Sequence, residues 1–560
     1  MSYNLLGKEV RGRFGFPSGV IATNPDTARC MLRNIPQLGF YVGKSTTIEP
    51  KDGNPEDIFL LLDSGSGCNA VGYANPGLES TVEGFRELIG TAPKDVFLMP
   101  QIGESDEARF AHCAAEFDKI GIDGIELNVS CPHAKEGGIL IGSSPEMVHS
   151  IVSAARKATK KPLVVKLNAA VSNIEDIAKA AVNAGANGIS AINTLGGPFS
   201  ELSNRFGGLS GPSIFPVTYR TVERIRNVVN VPMIVMGGIC GANSIRSLDK
   251  ISQDFFYAIG TSLAELDSEE IFWFFSEIDY DLKYGTNKAE KLIEGKKVLQ
   301  YEPFIVTDIQ RLSDSLRLIR FDKNLEAFPA QFVFLKTDNE HSKPFSIANF
   351  AQDRSNLELV VRKVGDTTSK IFGLKENNVV RIRGPYGKPF LEGGSKIIYV
   401  GAGCGIAPVH HAAAHNKYNG GERHIFIGAK TAGELVYLRQ LKDMGAVFCS
   451  TDDGTAGFKG TVVDLVRKQL EILNPGDDFI FFNCGPEVVL RELDKIGRQY
   501  ASPERIHHLV ERMTSCGTGI CGKCSIPNGE RACVDGPVFL AEEFSPGSYR
   551  RGKDGRKINI

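Results

Sequence analysis

Residues 1–285 are predicted to form a (β/α)₈ barrel, followed by a small antiparallel β-barrel, an α/β nucleotide-binding domain and a small cysteine-rich domain. Three observations carry that prediction. Eight apolar strand candidates with helical crossovers occupy the first half of the chain. After residue 300 closely spaced β-branched runs give way to alternating strands and helices. Four spaced cysteines stand near the end. At 560 residues there is room for about three to four domains of ~150 residues, and 42% hydrophobic with 23% charged residues is ordinary globular composition.

The eight candidates are SGVIAT (18–23), FYVGKST (40–46), DVFLMPQIG (95–103), GIELNVS (124–130), PLVVKLN (162–168), GISAINT (188–194), VPMIVMGGI (231–239) and DFFYAIGTS (254–262). Between them, stretches such as 105–120 repeat apolar residues at three and four, with Phe110, Cys113, Ala114, Phe117 and Ile120 on one face. Barrel chemistry collects at the carboxyl ends of strands. There stand Lys44, then Asn128, Ser130 and Cys131, then Lys166, then Asn193 and Thr194. Gly237, Gly238, Gly260 and Thr261 close the last two strands and offer backbone amides where such barrels hold a phosphate, which outlines a flavin mononucleotide (FMN) site. Any one of these residues alone reads equally well as a polar group satisfying a strand end.

In the second half QFVFLKT (331–337), LELVVRKV (357–364) and NVVRIRG (378–384) read as strands of a small barrel. KIIYV (396–400), HIFIG (424–428), AVFCS (446–450) and DFIFFN (478–483) read as a parallel sheet. The first of these runs into GAGCGIAPV (401–409), whose Gly401, Gly403 and Gly405 can bring amides to a pyrophosphate at a helix start. With G-x-G-x-G spacing, a bare glycine turn is an equal reading.

Cys516, Cys521, Cys524 and Cys533 form C-x4-C-x2-C-x8-C, with glycines at 517, 519 and 522 letting the backbone wrap something small. The spacing fits a plant-type [2Fe–2S] cluster better than structural zinc, which favours separated C-x2-C pairs. Twelve cysteines in the whole chain are too few for a disulfide scaffold. A nicotinamide gives up two electrons as hydride and such a cluster accepts one, so a flavin that does both is expected between them. The net charge of −2 and the single tryptophan argue against nucleic-acid binding. No signal peptide and no apolar run of about eighteen residues is seen, so a soluble, cytoplasmic protein without a membrane partner is expected.

GKST (43–46), NAVGYANPG (69–77), ELNVSCPH (126–133), INTLGG (192–197), GGLSGP (207–212) and MGGI (236–239) together resemble the catalytic subunit of class 1 dihydroorotate dehydrogenases. KPFSIAN (343–349), the Gly365–Thr368 turn, GPYG (384–387), GAGCGIAP and NCGPE (483–487), followed by the cysteines, resemble the electron-transfer subunit of the type 1B enzymes, in the ferredoxin-reductase superfamily. The chain is thus similar to the two type 1B subunits fused, with the joint near 280–300. The implied domains are an FMN barrel (1–285), a linker (286–300), an FAD barrel (301–394), an NAD domain (395–500) and a [2Fe–2S] domain with tail (501–560).

The resemblance implies oxidation of dihydroorotate to orotate in pyrimidine biosynthesis, with electrons passing from FMN through [2Fe–2S] and FAD to NAD⁺. It implies Cys131 as the base, and Lys44, Asn69, Gly72, Asn128, His133, Asn193 and Thr194 around the substrate. Asparagine amides suit the alternating N–H and C=O edge of a dihydropyrimidine. FMN contacts are implied for Ser18, Gly19, Lys44, Ser45, Lys166, Gly211, Gly237, Gly238, Gly260 and Thr261. Lys343, Pro344, Phe345, Ser346 and Thr368 are implied for FAD, and Gly401, Gly403, Gly405 and Cys484 for NAD. The family's catalytic subunit tends to dimerise, so a homo-oligomer is expected. Three departures stand out: Lys343 replaces the usual arginine and loses its bidentate fork, His133 replaces a substrate-binding asparagine, and LNAAV (167–171) replaces the usual L-S-P-N-V or L-T-P-N-V. The CPH form also resembles dihydropyrimidine dehydrogenases, which keeps an NAD(P)H-dependent neutral dihydropyrimidine/pyrimidine pair as the alternative, beside a non-catalytic electron-transfer role.

Overall fold

The computed structural model describes residues 2–130, 138–202, 204–294, 300–337, 341–348, 356–391, 396–418, 421–473, 475–476, 478–544, 549–551 and 557–559. Cys131 and His133 lie outside the described residues. The chain forms two compact units, Met1–Val298 with Thr518–Lys523, and Leu299–Gly517 with Cys524–Asn559.

The first unit is a barrel of eight parallel strands: β1 (Phe14–Gly15), β2 (Phe40–Thr46), β3 (Phe97–Ile102), β4 (Ile125–Asn128), β5 (Leu163–Leu167), β6 (Gly188–Ala191), β7 (Met233–Met236) and β8 (Phe256–Ala258). Their order is β1-β8-β7-β6-β5-β4-β3-β2. The ring closes where Phe14 bridges Leu38 in parallel and the Gly39 N–H donates to the Phe14 carbonyl at 2.8 Å. Crossover helices start at side-chain caps: Asn24, Asp106 and Ser144 accept from the amides of Thr27, Arg109 and Met147 at 3.0, 3.0 and 3.3 Å. Helix Glu107–Asp118 buries Phe110, Cys113, Ala114 and Phe117, as its apolar spacing predicts.

Seven of the eight strand candidates contain a barrel strand. SGVIAT is the exception: β1 lies upstream at Phe14–Gly15, and 18–23 is a loop with Gly19 at φ 73° and Ile21 at φ 61°. Left-handed backbone cannot continue a ladder, and the Ile21 amide instead donates to the Ile520 carbonyl at 2.8 Å within the same unit.

A hairpin of Tyr3–Leu5 and Lys8–Val10 seals one end of the barrel, its Leu5 and Val10 packing with Phe40, Phe97, Val164, Ile234 and Phe256. The interior is therefore apolar at the amino ends of the strands, and polar side chains collect at the other end. A four-stranded antiparallel sheet, in the order Leu195–Pro198, Phe206–Ser210, Gly67–Asn69 and Phe59–Leu61, adds to the eight strands and carries Asn69. The last barrel helix, Ser268–Tyr284, ends at Gly285 with φ 72°. The stretch expected as linker begins with a helix, Lys288–Ile293, whose Glu290 carboxylate accepts from the backbone amide and Nδ2 of Asn243, each at 3.0 Å.

The second unit opens with an antiparallel sheet of β9 (Glu302–Arg311), β10 (Leu316–Phe321), β11 (Phe332–Lys336), β12 (Lys343–Ser346), β13 (Glu358–Arg362) and β14 (Val379–Tyr386), in the order β12-β11-β14-β9-β10-β13. Ile319, Phe321, Val333, Leu335, Val361 and Val380 fill its core. β15 (Lys396–Ala402), β16 (Glu422–Ala429), β17 (Ala446–Thr451), β18 (Phe458–Lys459), β19 (Ile480–Cys484), β20 (Ile506–Leu509) and β21 (Val538–Leu540) follow, in the order β18-β17-β16-β15-β19-β20-β21. All pairs but β20–β21 are parallel. The winding reverses at β15, which is where an open α/β sheet binds its ligand. Among the described residues no helix is long and apolar enough to cross a membrane.

Candidate active site and electron-transfer sites

One cavity opens at the carboxyl ends of the barrel strands. It is lined by Ser18, Gly19, Lys44, Ser45, Asn69, Gly72, Asn128, Lys166, Asn193, Thr194, Gly211, Gly237, Gly238, Gly260 and Thr261, so every described residue expected at the substrate or FMN meets there, while Ser130 is buried behind them. Parallel pairing puts Lys166 beside both Asn128 and Ser190, so adjacent strands present these side chains as one row.

The polar side chains hold one another. Gln101 Oε1 accepts from Ser18 Oγ at 2.9 Å and Asn128 Nδ2 at 3.2 Å, and also from Ser45 Oγ. Its Nε2 donates to the fully buried Glu126, whose other oxygen accepts from Ser190 Oγ at 2.6 Å. Asn193 Nδ2 donates to Ser130 Oγ at 3.0 Å and to the Ser130 carbonyl at 3.2 Å, a carbonyl that Asn168 Nδ2 also reaches at 3.2 Å. A buried polar chain satisfied this fully has little freedom to rotate. Burial pushes the Lys44 ammonium down to about 8, with Cys521 pulling it up and Lys523 lowering it further.

The glycines at the end of β7 fit a phosphate. Gly237 and Gly238 have φ 108° and 80°, and a Cβ on Gly238 would stand 2.7 Å from the Phe215 amide nitrogen. Gly260 caps the short 3₁₀ turn Thr261–Leu263 after β8. Backbone amides at these two strand ends are the usual phosphate cradle of such a barrel.

In the second unit the glycine turn sits where the sheet order reverses. A Cβ on Gly405 would stand 2.4 Å from the Cys484 carbonyl oxygen and 3.0 Å from its sulfur, so the turn and Cys484 are in direct contact. That close approach suits a pyrophosphate-binding turn. Cys484 is buried and its thiol is pushed well up by burial. Strand β12 carries half-buried Lys343, Pro344, Phe345 and Ser346, paired to Leu335, Phe334, Val333 and Phe332. The expected Gly365–Thr368 turn is the start of helix Asp366–Ile371, where Thr368 Oγ1 accepts from the amides of Val364 and Gly365 at 2.8 and 3.0 Å.

Cys516, Cys524 and Cys533 converge. Cys524 and Cys533 sulfurs stand 3.3 Å apart, far beyond a disulfide, and the Cys533 thiol is pushed well up by Cys516 and Cys524 beside it. Cys521 is buried in the Thr518–Lys523 segment of the first unit, with its carbonyl accepting from Thr23 Oγ1 at 3.3 Å. Gly517, Gly519 and Gly522 have φ 80°, 75° and 64°. A Cβ on Gly522 would meet Thr23 Oγ1 at 1.9 Å. Buried, unbridged thiols on a left-handed glycine loop fit an iron–sulfur cluster.

Residues 1–251 match the dihydroorotate dehydrogenase family, 303–390 the oxidoreductase FAD-binding domain and 511–545 the iron–sulfur cluster binding domain of dihydroorotate dehydrogenase B. The chain is 32% identical over 258 residues, 45% of its length and 96% of the relative, to a protein of Methanocaldococcus jannaschii named probable dihydroorotate dehydrogenase B (NAD⁺), electron transfer subunit. It is 38% identical over 213 residues, 37% of its length and 70% of the relative, to the dihydroorotate dehydrogenase B (NAD⁺) catalytic subunit of Thermoanaerobacter pseudethanolicus. The chain belongs to the dihydroorotate dehydrogenase B family. It joins in one polypeptide what these relatives carry as separately named catalytic and electron-transfer subunits.

This dihydroorotate dehydrogenase B chain also places in the cavity residues that the sequence reading did not single out, Tyr73, Gln101, Ser210 and Ile520, together with Cys521, which the sequence reading assigned only to the cluster. Gln101 carried a signal, being a lone polar side chain in the buried run Phe97–Ile102. Ile520 carried none, because only folding brings residue 520 beside residue 21.

Proposed function

We propose that this chain oxidises dihydroorotate to orotate at the barrel cavity and passes the electrons to NAD⁺. The observation that carries the reading is the meeting of Lys44, Asn69, Asn128, Lys166, Asn193 and Thr194 with the phosphate-cradle glycines in a single cavity. FMN in the barrel, FAD on β12, NAD at the glycine turn and [2Fe–2S] on Cys516, Cys521, Cys524 and Cys533 supply hydride acceptance, conversion between paired and single electrons, and delivery.

The side chains supply the rest. Asn69, Asn128, Asn193 and Thr194 present amide and hydroxyl groups to the ring edge of the substrate, and Lys44 faces its carboxylate. Lys166, on the row with Asn128, offsets negative charge on the flavin ring. Cys131 is the base that takes the proton from carbon 5. Support for it comes from the resemblance, in which the cysteine of the N-x-S-C-P loop, here Cys131, is the base. A thiol near its ordinary pKa of about 8.5 is protonated at neutral pH, so the rate rises with pH.

The functional division proposed is 1–285, 301–394, 395–500 and 501–560. The proposed state is a cytoplasmic homodimer, which sedimentation at several concentrations checks. The deciding experiment is anaerobic reduction of the flavin spectrum by dihydroorotate, dihydrouracil or NADH. Bleaching by dihydroorotate and NADH but not dihydrouracil is expected. Bleaching by dihydrouracil alone would transfer the enzyme to the neutral pyrimidines, and bleaching by NADH alone would leave an electron-transfer protein without a substrate site.

A further inference from the structure

Arg531 is fully buried, and it is among the largest side chains in the molecule to be so. A guanidinium keeps its proton even there. It sits inside the cysteine loop: Arg531 bridges Ser525 in antiparallel fashion, and the next amide, of Ala532, donates to the Cys524 carbonyl at 3.0 Å. Cys533 follows two residues on. The charge of Arg531 acts on the thiols of both Cys524 and Cys533. Asp535, whose side chain is 4% exposed, accepts from the Arg531 backbone amide at 2.6 Å and from its Nε at 3.2 Å. The Asp535 amide returns a bond to the Arg531 carbonyl at 2.8 Å.

We propose that the buried Arg531–Asp535 pair sets the reduction potential of the iron–sulfur cluster, Arg531 raising it and Asp535 lowering it. The proposal rests on the reading of Cys516, Cys524 and Cys533 as cluster ligands. One-electron reduction adds a negative charge to the iron and sulfur whatever the starting charge. A buried cation in the loop that carries two ligand sulfurs favours that added charge, and an anion beside the cation opposes it. Both side chains are removed from solvent, at 0% and 4% exposure, so neither effect is screened as it would be at a surface. A pair that only braced the loop would give no reason for its two members to act in opposite directions.

The test is the cluster midpoint in the anaerobic holoenzyme, read by EPR during a redox titration, with iron content assayed on each sample. Asp535→Asn keeps an oxygen to accept from the Arg531 amide and removes only charge. Its midpoint is expected to rise, with the ratio of reduced to oxidised cluster at fixed poise up about tenfold, or ~59 mV for one electron. Arg531→Gln is expected to lower the midpoint by a similar amount, and Arg531→Lys to restore most of the loss. If Arg531→Gln fails to load iron, the rise in Asp535→Asn carries the proposal alone. An unmoved or lowered midpoint in fully loaded Asp535→Asn overturns it, as does failure of both variants to load iron. Wild-type protein without iron would instead sink the cluster reading beneath it.

Discussion

In the barrel cavity the polar groups are side chains held by other side chains, whereas the glycine turn and the cysteine loop depend on a backbone freed by missing side chains, which offers amides in the first and lets thiols converge in the second. Asn128 is fixed by Gln101, which is fixed in turn by Glu126. Gly405, Gly517 and Gly522 have nothing to fix and work by what they leave out. The contrast follows from the ligands. A pyrimidine ring has a patterned edge that needs oriented donors and acceptors, while a pyrophosphate needs amides and close approach, and an iron–sulfur cluster needs thiolates on a backbone that can wrap it. Damage to the first kind of site should degrade catalysis by degrees, and damage to the second should act through loss or displacement of a whole group.

The largest effect separates the two regions outright. Cys533→Ser should leave dihydroorotate able to bleach the barrel flavin in stopped-flow experiments. Steady-state turnover with NAD⁺ should fall by about 10³-fold or more, because each two-electron chemistry survives and only the single-electron link is lost. Equal loss in both measurements would mean that the cysteine loop also shapes the barrel site.

Cys131→Ser is the reciprocal variant. Reduction by dihydroorotate should slow by roughly 10²–10³-fold, within the usual contribution of a general base, while reduction of the same protein by NADH is unchanged. In the unaltered chain that rate should climb through the thiol range of about 8.5, and the climb should vanish in the variant.

The two kinds of site were not equally legible beforehand. Side-chain sites on barrel strands could be read because strand ends are apolar runs that stop at a polar residue, as at Asn128, Lys166 and Asn193. The same rule misplaced β1, since SGVIAT is apolar for a different reason: its left-handed Ile21 turns to meet Ile520. Strands β9, β10 and β12 were passed over because polar and charged residues interrupt their apolar runs, as the alternating burial of Pro303–Thr307 in β9 records. The four cysteines were legible from spacing alone. Their division between Thr518–Lys523 and the rest of the loop was not, being a property of tertiary packing.

A smaller effect tests the backbone rule at a single methyl group. Gly405→Ala places a Cβ 2.4 Å from the Cys484 carbonyl oxygen, and since backbone lies on both sides, the turn itself must shift. The KM for NAD⁺ should rise about tenfold, the equivalent of 1.4 kcal/mol. Turnover with an artificial one-electron acceptor in place of NAD⁺ should hold. Loss of both activities would show that the turn supports the fold rather than the nucleotide.

The smallest effect is a matter of protons and belongs to the side-chain site. Lys44 is held down to about 8 by burial, so below that pH it carries the charge that a substrate carboxylate needs, and above it the charge is lost before the substrate arrives. Binding the carboxylate favours the protonated form, so orotate affinity should be flat below about pH 8 and weaken above it, approaching tenfold per pH unit at the steepest. Titration of the flavin spectrum with orotate between about pH 7 and 9.5 measures this directly. Lys44→Met should bind more weakly at pH 7 and lose the slope. Because the Cys131 thiol acts in the opposite sense, the rate of flavin reduction at saturating dihydroorotate should still be rising where affinity has begun to fall. A common midpoint and direction for the two would assign both to one group and remove Lys44 from the carboxylate.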